Sequence, residues 1–174
     1  ALSMADIPLY RQVYAPLLLD PVFAPSPDFG NRQPGENEAD CALRCADALR
    51  RLVEQHRHEL CALIIEPLVQ CAGGMRMYHP VYLGEARRIC DEYGIHLIAD
   101  EIAVGFGRTG SFFACEQAGI RPDFLCLSKG LTGGFLPMSA VLTTETVFSR
   151  FLSTERNRAF LHSHSYTGNP LGCA

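Results

Sequence analysis

Hydrophobic residues recur at helical spacing from residue 40 onward, after a polar opening segment. Residues 1–39 include the stretch APSPDFGNRQPGENEAD, which is rich in turn formers and has no apolar period, so we predict a loop-rich opening segment. From Asp40 to about His58, apolar residues follow i, i+3, i+4, i+7 spacing, which predicts an amphipathic helix. A similar stripe in HPVYLGEARRICDEYG predicts a second helix that ends at Gly94.

Short apolar runs alternate with these helical stretches and predict four buried strands. The runs are CALIIEPL, IHLIAD, DFLCLSK and SAVLTT, and the last is followed by a helical stretch, ETVFSRFL. Alternation of strands and helices is typical of a parallel sheet with helices packed on its faces. We therefore predict an α/β fold with a parallel-rich sheet and helices on both faces.

Size, charge and cysteine content narrow the class of protein. The 174 residues are 48% hydrophobic, and the net charge of -4 gives no cationic field for nucleic acid or anionic membrane. Several of the eight cysteines lie inside apolar runs and none forms a C-x-x-C pair, so we predict reduced thiols, no metal site and a cytoplasmic protein. The sequence has neither an 18-residue apolar run nor a charged-then-apolar leader, so we expect no membrane span and no signal peptide.

Two of the predicted strands end in residues that suggest chemistry. IHLIAD ends in Asp100, and DFLCLSK ends in Lys129. Ligands bind outside the carboxyl ends of strands in open parallel sheets. If the two strands are neighbours, about 4.8 Å apart, the two side chains can reach opposite sides of one flat ring.

Pyridoxal phosphate fits such a pair of side chains, because its ring nitrogen and its aldehyde-bearing carbon are para to one another. Asp100 would keep the ring nitrogen protonated, and Lys129 would bind the aldehyde carbon and later carry a proton. Spacing alone leaves a second interpretation open, in which Asp100 caps a helix and Lys129 is a surface lysine at a turn.

Three segments resemble signature segments of the class III, fold-type I aminotransferases. They are LIADEIAVGFGRTGSFFACE, PDFLCLSKGLTGGFLPMSAVL and HSHSYTGNP. The segment EPLVQCAGGMRMYHP and Ala103, where many relatives have Gln, resemble the biotin-pathway branch of that family. The resemblance implies that residues 40–174 are the second half of the large cofactor domain, with the N-terminal part and the small C-terminal domain outside this sequence.

The resemblance also implies a set of site residues. Lys129 would bind pyridoxal phosphate covalently, Asp100 would pair with the ring nitrogen, and Ile102 would contact the ring face. Ser165, with His164 beside it, would bind the phosphate of the cofactor in a neighbouring subunit of a homodimer. The family branch often has Gly-Pro-Thr where this chain has Ser-His-Ser, so the hydroxyl is retained but its contacts can differ.

The substrates that the resemblance implies are S-adenosylmethionine and 8-amino-7-oxononanoate, with Ser163 and Lys129 as substrate contacts. Glu101 is expected to brace a loop, and Glu66 to play a structural or supporting part. Two alternatives remain open: a class III enzyme with an omega-amine or ornithine-type donor, and a non-catalytic truncated paralogue that acts as a scaffold. As an isolated polypeptide the chain is expected to turn over poorly, because orienting the reacting carbon needs contacts that lie outside it.

Overall fold

A computed structural model describes residues 2–174, in which two long helices and a four-stranded sheet hold the core. The helices are α1 (Pro8–Arg11), α2 (Glu38–His56), α3 (Val81–Tyr93), α4 (Glu145–Phe148) and α5 (Pro170–Cys173). The strands are β1 (Ala62–Ile65), β2 (Val69–Gln70), β3 (Arg76–Met77), β4 (His96–Asp100), β5 (Phe124–Leu127) and β6 (Ala140–Thr143).

The four predicted strands form one sheet in the order β1-β4-β5-β6. β1, β4 and β5 are parallel, with Ile65 opposite Ala99 and Asp100 opposite Cys126. β6 pairs antiparallel with β5, since the connection between them contains only a short 3-10 turn, whereas a parallel return needs a longer crossover. The prediction of an α/β fold with a mostly parallel sheet is confirmed, and the β2–β3 hairpin is an element that the apolar pattern did not predict.

The ends of the two long helices follow from local capping chemistry. The Asn37 side chain accepts from the backbone N–H of Asp40 while the Asp40 carboxylate accepts from the N–H of Asn37, a reciprocal capping box. α2 therefore begins at Glu38, two residues before the predicted start. α3 ends where predicted, because Gly94 adopts φ 65° in the left-handed region that favours glycine.

One hydrophobic core joins the long helices to one face of the sheet. α2 packs on α3, and α3 packs on β4, which contributes the fully buried Leu97. Leu49 and Ile89 supply two more fully buried side chains, each stabilising the fold by about 1.5–3 kcal/mol. On the opposite face of β1, Ile64 is 37% exposed, so the sheet is held chiefly from the helical side.

The opening segment contains short helical turns where the sequence predicted loop. Helix α1 and 3-10 turns at Leu2–Met4, Gln12–Leu17 and Phe29–Asn31 lie in it, and each is too brief to produce an apolar period. Ala1 lies outside the described residues. Among the helices of residues 2–174, none combines the length and the hydropathy needed to cross a membrane.

Candidate active site

The carboxyl ends of three neighbouring parallel strands form the candidate site. β4 lies between β1 and β5, so Asp100 at the end of β4 is flanked by Glu66 after β1 and by Lys129 after β5. The backbone N–H of Glu101 donates to the carbonyl of Cys126 at 2.9 Å, which extends the β4–β5 pairing past Asp100. The structure therefore places the strands of the predicted acid and amine side by side.

Asp100 presents one oxygen to its own chain and leaves the other available. Its Oδ1 accepts from the backbone N–H of Ile102 at 3.1 Å, which sets the turn that follows the strand. No group in residues 2–174 donates a hydrogen bond to Oδ2. The carboxylate is half-buried, and Ile102 beside it is half-buried as well. Asp100 can thus accept from a ligand nitrogen while its orientation is fixed by Ile102.

Lys129 occupies a strained backbone position. Its φ of 38° is left-handed, a conformation that costs a residue other than glycine about 1–3 kcal/mol. The Ser128 hydroxyl donates to the carbonyl of Met138 at 2.7 Å, and the N–H of Leu131 donates to the carbonyl of Ser128 at 3.0 Å. These bonds hold the tight turn that carries the exposed Lys129 side chain.

Glycine at position 130 lets an aromatic ring pack against this turn. A Cβ added to Gly130 would lie 2.7 Å from Cδ2 of Phe106 and 2.9 Å from its Cβ. Phe106 itself has φ 61°, so the loop after β4 and the turn after β5 meet at a strained contact. The contact links the loop that carries Ile102 to the turn that carries Lys129.

Glu101 braces the loop after β4, as predicted. The side chain is fully buried, and its two oxygens accept from the backbone N–H groups of Ala114 at 2.7 Å and Cys115 at 2.8 Å. Its own carbonyl accepts from the N–H of Gly105 at 3.0 Å. Glu101 therefore holds the loop of residues 102–113 at both ends, with its backbone carbonyl at the start and its carboxylate at the far end.

Glu66, for which the sequence predicted a structural or supporting part, is a charged neighbour of both predicted site residues. Its Oε2 accepts from the N–H of Cys71 at 3.0 Å. Burial raises the pKa of Glu66, and the negative charge of Asp100 raises it further, while the Cys71 bond and the positive charge of Lys129 lower it. Glu66 therefore lies within electrostatic reach of both predicted site residues. The sequence signal for this proximity is that Glu66, like Asp100 and Lys129, comes at the end of an apolar run.

The structure does not bring the predicted phosphate-site residues to Asp100 or Lys129. Ser163, His164 and Ser165 lie in an exposed turn before α5. The backbone N–H of His164 donates to Oγ1 of Thr167 at 3.1 Å, and Nδ1 of His164 accepts from the N–H of Tyr166 at 3.2 Å. These contacts are internal to the turn, so the role of these residues in a neighbouring subunit stays a prediction.

Comparison with known proteins identifies the family. The family described as Aminotransferase class-III matches residues 1–174. The chain belongs to the class III aminotransferases. Within that family it is 51% identical to an adenosylmethionine-8-amino-7-oxononanoate aminotransferase of Helicobacter pylori, over 100% of this chain and 38% of that protein. It is 46% identical to the protein of the same name from Nitratidesulfovibrio vulgaris, over 100% of this chain and 32% of the relative.

Solved structures of aminotransferases show the same architecture. An adenosylmethionine-8-amino-7-oxononanoate aminotransferase from Methanocaldococcus jannaschii superposes with a TM-score of 0.80 at 35% identity, over 95% of this chain and 36% of that one. A thermostable (S)-enantioselective omega-transaminase from Thermomicrobium roseum gives a TM-score of 0.88 at 31% identity, over 99% of this chain and 38% of that one. This class III chain thus spans less than two fifths of the length of these relatives.

Membership of class III implies pyridoxal phosphate, and the side chains at the strand ends fit that group. The free oxygen of Asp100 is an acceptor suited to a protonated ring nitrogen, and Lys129 supplies an exposed primary amine. Ile102 adds an apolar side chain beside the carboxylate. The set therefore contains the acid, the amine and the apolar contact that the cofactor needs.

Proposed function

We propose that this chain carries the cofactor-binding core of a pyridoxal phosphate-dependent aminotransferase of biotin biosynthesis. The reaction transfers the amino group of S-adenosylmethionine to 8-amino-7-oxononanoate and yields 7,8-diaminononanoate. The observation that carries this proposal is the placement of Asp100 and Lys129 on neighbouring parallel strand ends in a class III chain. The substrate pair is supported by the names of relatives at 51% and 46% identity.

Each site residue has a distinct task in this proposal. The cofactor, when bound, withdraws electrons from the substrate and stores the amino group between the two half-reactions. Asp100 holds a proton on the ring nitrogen, because a nearby negative charge favours the cationic form. Lys129 would hold the cofactor through its amine and would carry a proton to and from the substrate carbon. Ile102 positions the ring from one face.

The proposed assembly is a cytoplasmic homodimer with shared sites. Ser165 and His164 bind the cofactor phosphate of the neighbouring subunit, and Ser163 contacts substrate through its backbone. Their exposure in the single chain supports a role at a subunit boundary. The cytoplasmic setting is supported by the eight cysteines, which are all free thiols in the described residues.

Trapping the cofactor on Lys129 tests the proposal directly. Lys129 is the single lysine of the 174-residue sequence, so an adduct that peptide mapping finds on a peptide of this sequence, after borohydride reduction of the cofactor-loaded full-length protein, is assigned to Lys129. We expect the adduct on Lys129, its loss in Lys129→Ala with the fold retained, and bound but poorly active cofactor in Asp100→Asn. Absence of an adduct on Lys129 from the wild-type protein would remove the enzymatic proposal and favour a non-catalytic scaffold.

The amino donor is tested by following single half-reactions. S-adenosylmethionine should convert the loaded protein to its amino form, whereas simple diamines and ornithine should react far more slowly. Faster conversion by a diamine or by ornithine would assign the chain to another branch of class III. Retention of the Lys129 adduct in that case would leave the aminotransferase activity itself intact.

A further inference from the structure

Lys129 is held in a backbone conformation that its residue type disfavours. Its φ of 38° lies in the left-handed region, which glycine reaches at little cost and lysine does not. Residues in such conformations persist only where the surrounding structure fixes the backbone from more than one side. The contacts around the turn therefore determine where the amine of Lys129 is presented.

Hydrogen bonds fix the two ends of this turn. The Ser128 hydroxyl donates to the carbonyl of Met138 at 2.7 Å. The carbonyl of Ser128 accepts from the N–H of Leu131 at 3.0 Å, which closes the chain across Lys129 and Gly130. Neither bond uses an atom of Lys129 or Gly130, so these bonds constrain the two residues only from outside.

The side chain of Phe106 supplies a contact within the turn. A Cβ built on Gly130 would lie 2.7 Å from Cδ2, 2.9 Å from Cβ and 3.0 Å from Cγ of Phe106, and these are the three nearest atoms. Packed side chains do not approach one another so closely, so Phe106 occupies the space in which a side chain at position 130 would lie. The ring therefore limits the movement of Gly130 and of Lys129, which is bonded to it.

Phe106 is itself fixed by an aromatic cluster of Phe106, Phe112 and Phe113. The ring of Phe106 lies edge-on to those of Phe112 and Phe113, with centroid distances of 5.7 and 6.0 Å. Pairs of this geometry are more favourable than their buried area alone accounts for. Phe113 directly precedes Ala114, whose N–H donates to the buried carboxylate of Glu101 at 2.7 Å. The cluster therefore connects Phe106 to the anchored end of its loop.

We propose that Phe106 is a positioning residue whose ring, packed against Gly130, holds Lys129 in the left-handed conformation and so fixes the direction of its amine. The proposal deepens the proposed function, on which the use of that amine rests. An amine already aimed at the cofactor reacts without a search among backbone conformations, and such orientation supplies much of the rate of a reaction between bound groups. Without the ring, the chain at Lys129 can relax toward the right-handed conformation, which redirects the amine.

Hydrogen exchange in the full-length protein freed of cofactor tests the backbone contact. The amide of Leu131 donates across Lys129 to Ser128, so its exchange rate reports how often the turn opens. Phe106→Leu removes the ring but keeps an apolar side chain, and we expect the Leu131 amide to exchange about tenfold faster. Phe106→Tyr keeps the ring, so its Leu131 amide should exchange at the wild-type rate.

The rate of cofactor attachment tests the consequence for the amine. Pyridoxal phosphate is added to the cofactor-free protein, and the borohydride-trapped adduct on Lys129 is quantified against time by peptide mass spectrometry. We expect Phe106→Leu to slow adduct formation about tenfold. Acetylation of Lys129 by trace acetic anhydride needs only an accessible amine and should keep its rate. A loss of stability alone would not slow one reaction and spare the other.

Phe112→Leu is the matched control. Phe112 belongs to the same cluster but is 60% exposed, and Phe106 supplies the atoms nearest to a Cβ on Gly130, so both rates should match the wild type. Unchanged exchange in Phe106→Leu, or an equal change in Phe112→Leu or Phe106→Tyr, would overturn the proposal. If Phe106→Leu does not fold by circular dichroism, Phe106→Met, which also lacks the ring, takes its place in both measurements.

The outcome stays separate from that of the proposed function. Faster exchange in Phe106→Leu with no adduct in the wild type would support the contact that holds Lys129 while removing the aminotransferase proposal. A wild-type adduct that forms equally fast in Phe106→Leu would leave the proposed function intact and overturn the positioning role. The two proposals therefore fail independently.

Discussion

Glu101 is the buried carboxylate on which the loop of residues 102–113 depends. It has no exposed surface, and its oxygens accept from the N–H groups of Ala114 and Cys115 at 2.7 and 2.8 Å. We expect Glu101→Ala to destabilise the protein strongly, because both amide donors would be left buried without an acceptor. Glu101→Gln should be milder, since its amide oxygen can still accept from one of them.

The magnitude follows from the two hydrogen bonds. An unsatisfied buried donor costs about 1–3 kcal/mol, so the Ala variant should lose about 2–6 kcal/mol and the Gln variant about 1–3 kcal/mol. The cavity left by the Ala variant adds to its loss. Against a typical free energy of unfolding of about 5–15 kcal/mol, the Ala variant approaches the limit of folding.

Urea denaturation of the full-length protein, followed by circular dichroism, measures these differences. The matched control is Glu116→Gln, since Glu116 is an exposed carboxylate in the same 3-10 turn as the two amide donors, and it should change stability by less than about 0.5 kcal/mol. A Glu101→Ala variant as stable as Glu116→Gln would refute the assignment of Glu101 as the brace of the loop.

Two further predictions concern the turn after β5 and the start of α2. Gly130→Ala should destabilise the protein by about 1–3 kcal/mol, because the added Cβ would lie 2.7 Å from the Phe106 ring. A double-mutant cycle with Phe106→Gly should reduce that loss, and an equal loss in both backgrounds would contradict the contact. Arg44 binds Glu36 through a short hydrogen bond and lowers the pKa of that carboxyl from 4.5 to about 2. Stability from this pair is therefore complete above about pH 4.5 and is lost as the pH falls toward 2. Unfolding measured across that range should show a steeper decline for the wild type than for Glu36→Gln, and parallel curves would contradict the pairing.

Local sequence patterns were sufficient to locate the two long helices and the four strands of the main sheet. The apolar stripe of α2 and the apolar run Leu97–Ala99 inside β4 indicate which residues are buried, and that information is contained within one helix or strand. Gly94 marked the end of α3 because glycine reaches the left-handed conformation at little cost. The apolar runs also located the approximate ends of the strands, and these ends pointed to Asp100 and Lys129 as candidate site residues.

Local sequence patterns could not predict which distant segments of the chain become neighbours. Nothing in IHLIAD says that its neighbours are β1 and β5, or that β6 returns antiparallel, because strand order depends on how connections pack. The amide partners of Glu101 lie 13 and 14 residues away, at the far end of a loop without periodicity. The left-handed conformation of Lys129 occurs in a turn that is held by the bond from the Ser128 hydroxyl to the carbonyl of Met138, ten residues further along the chain.

The sequence by itself determined the two long helices, the four strands of the main sheet and the two candidate residues at the strand ends. Tertiary structure alone decided that a second carboxylate, that of Glu66, follows β1 beside Asp100 at the end of β4. This position also brings Glu66 within electrostatic reach of Lys129. The physical reason is that periodicity reports whether a residue faces the core, whereas electrostatic coupling depends on which chains are neighbours in space. That neighbourhood is set by the packing of the whole sheet.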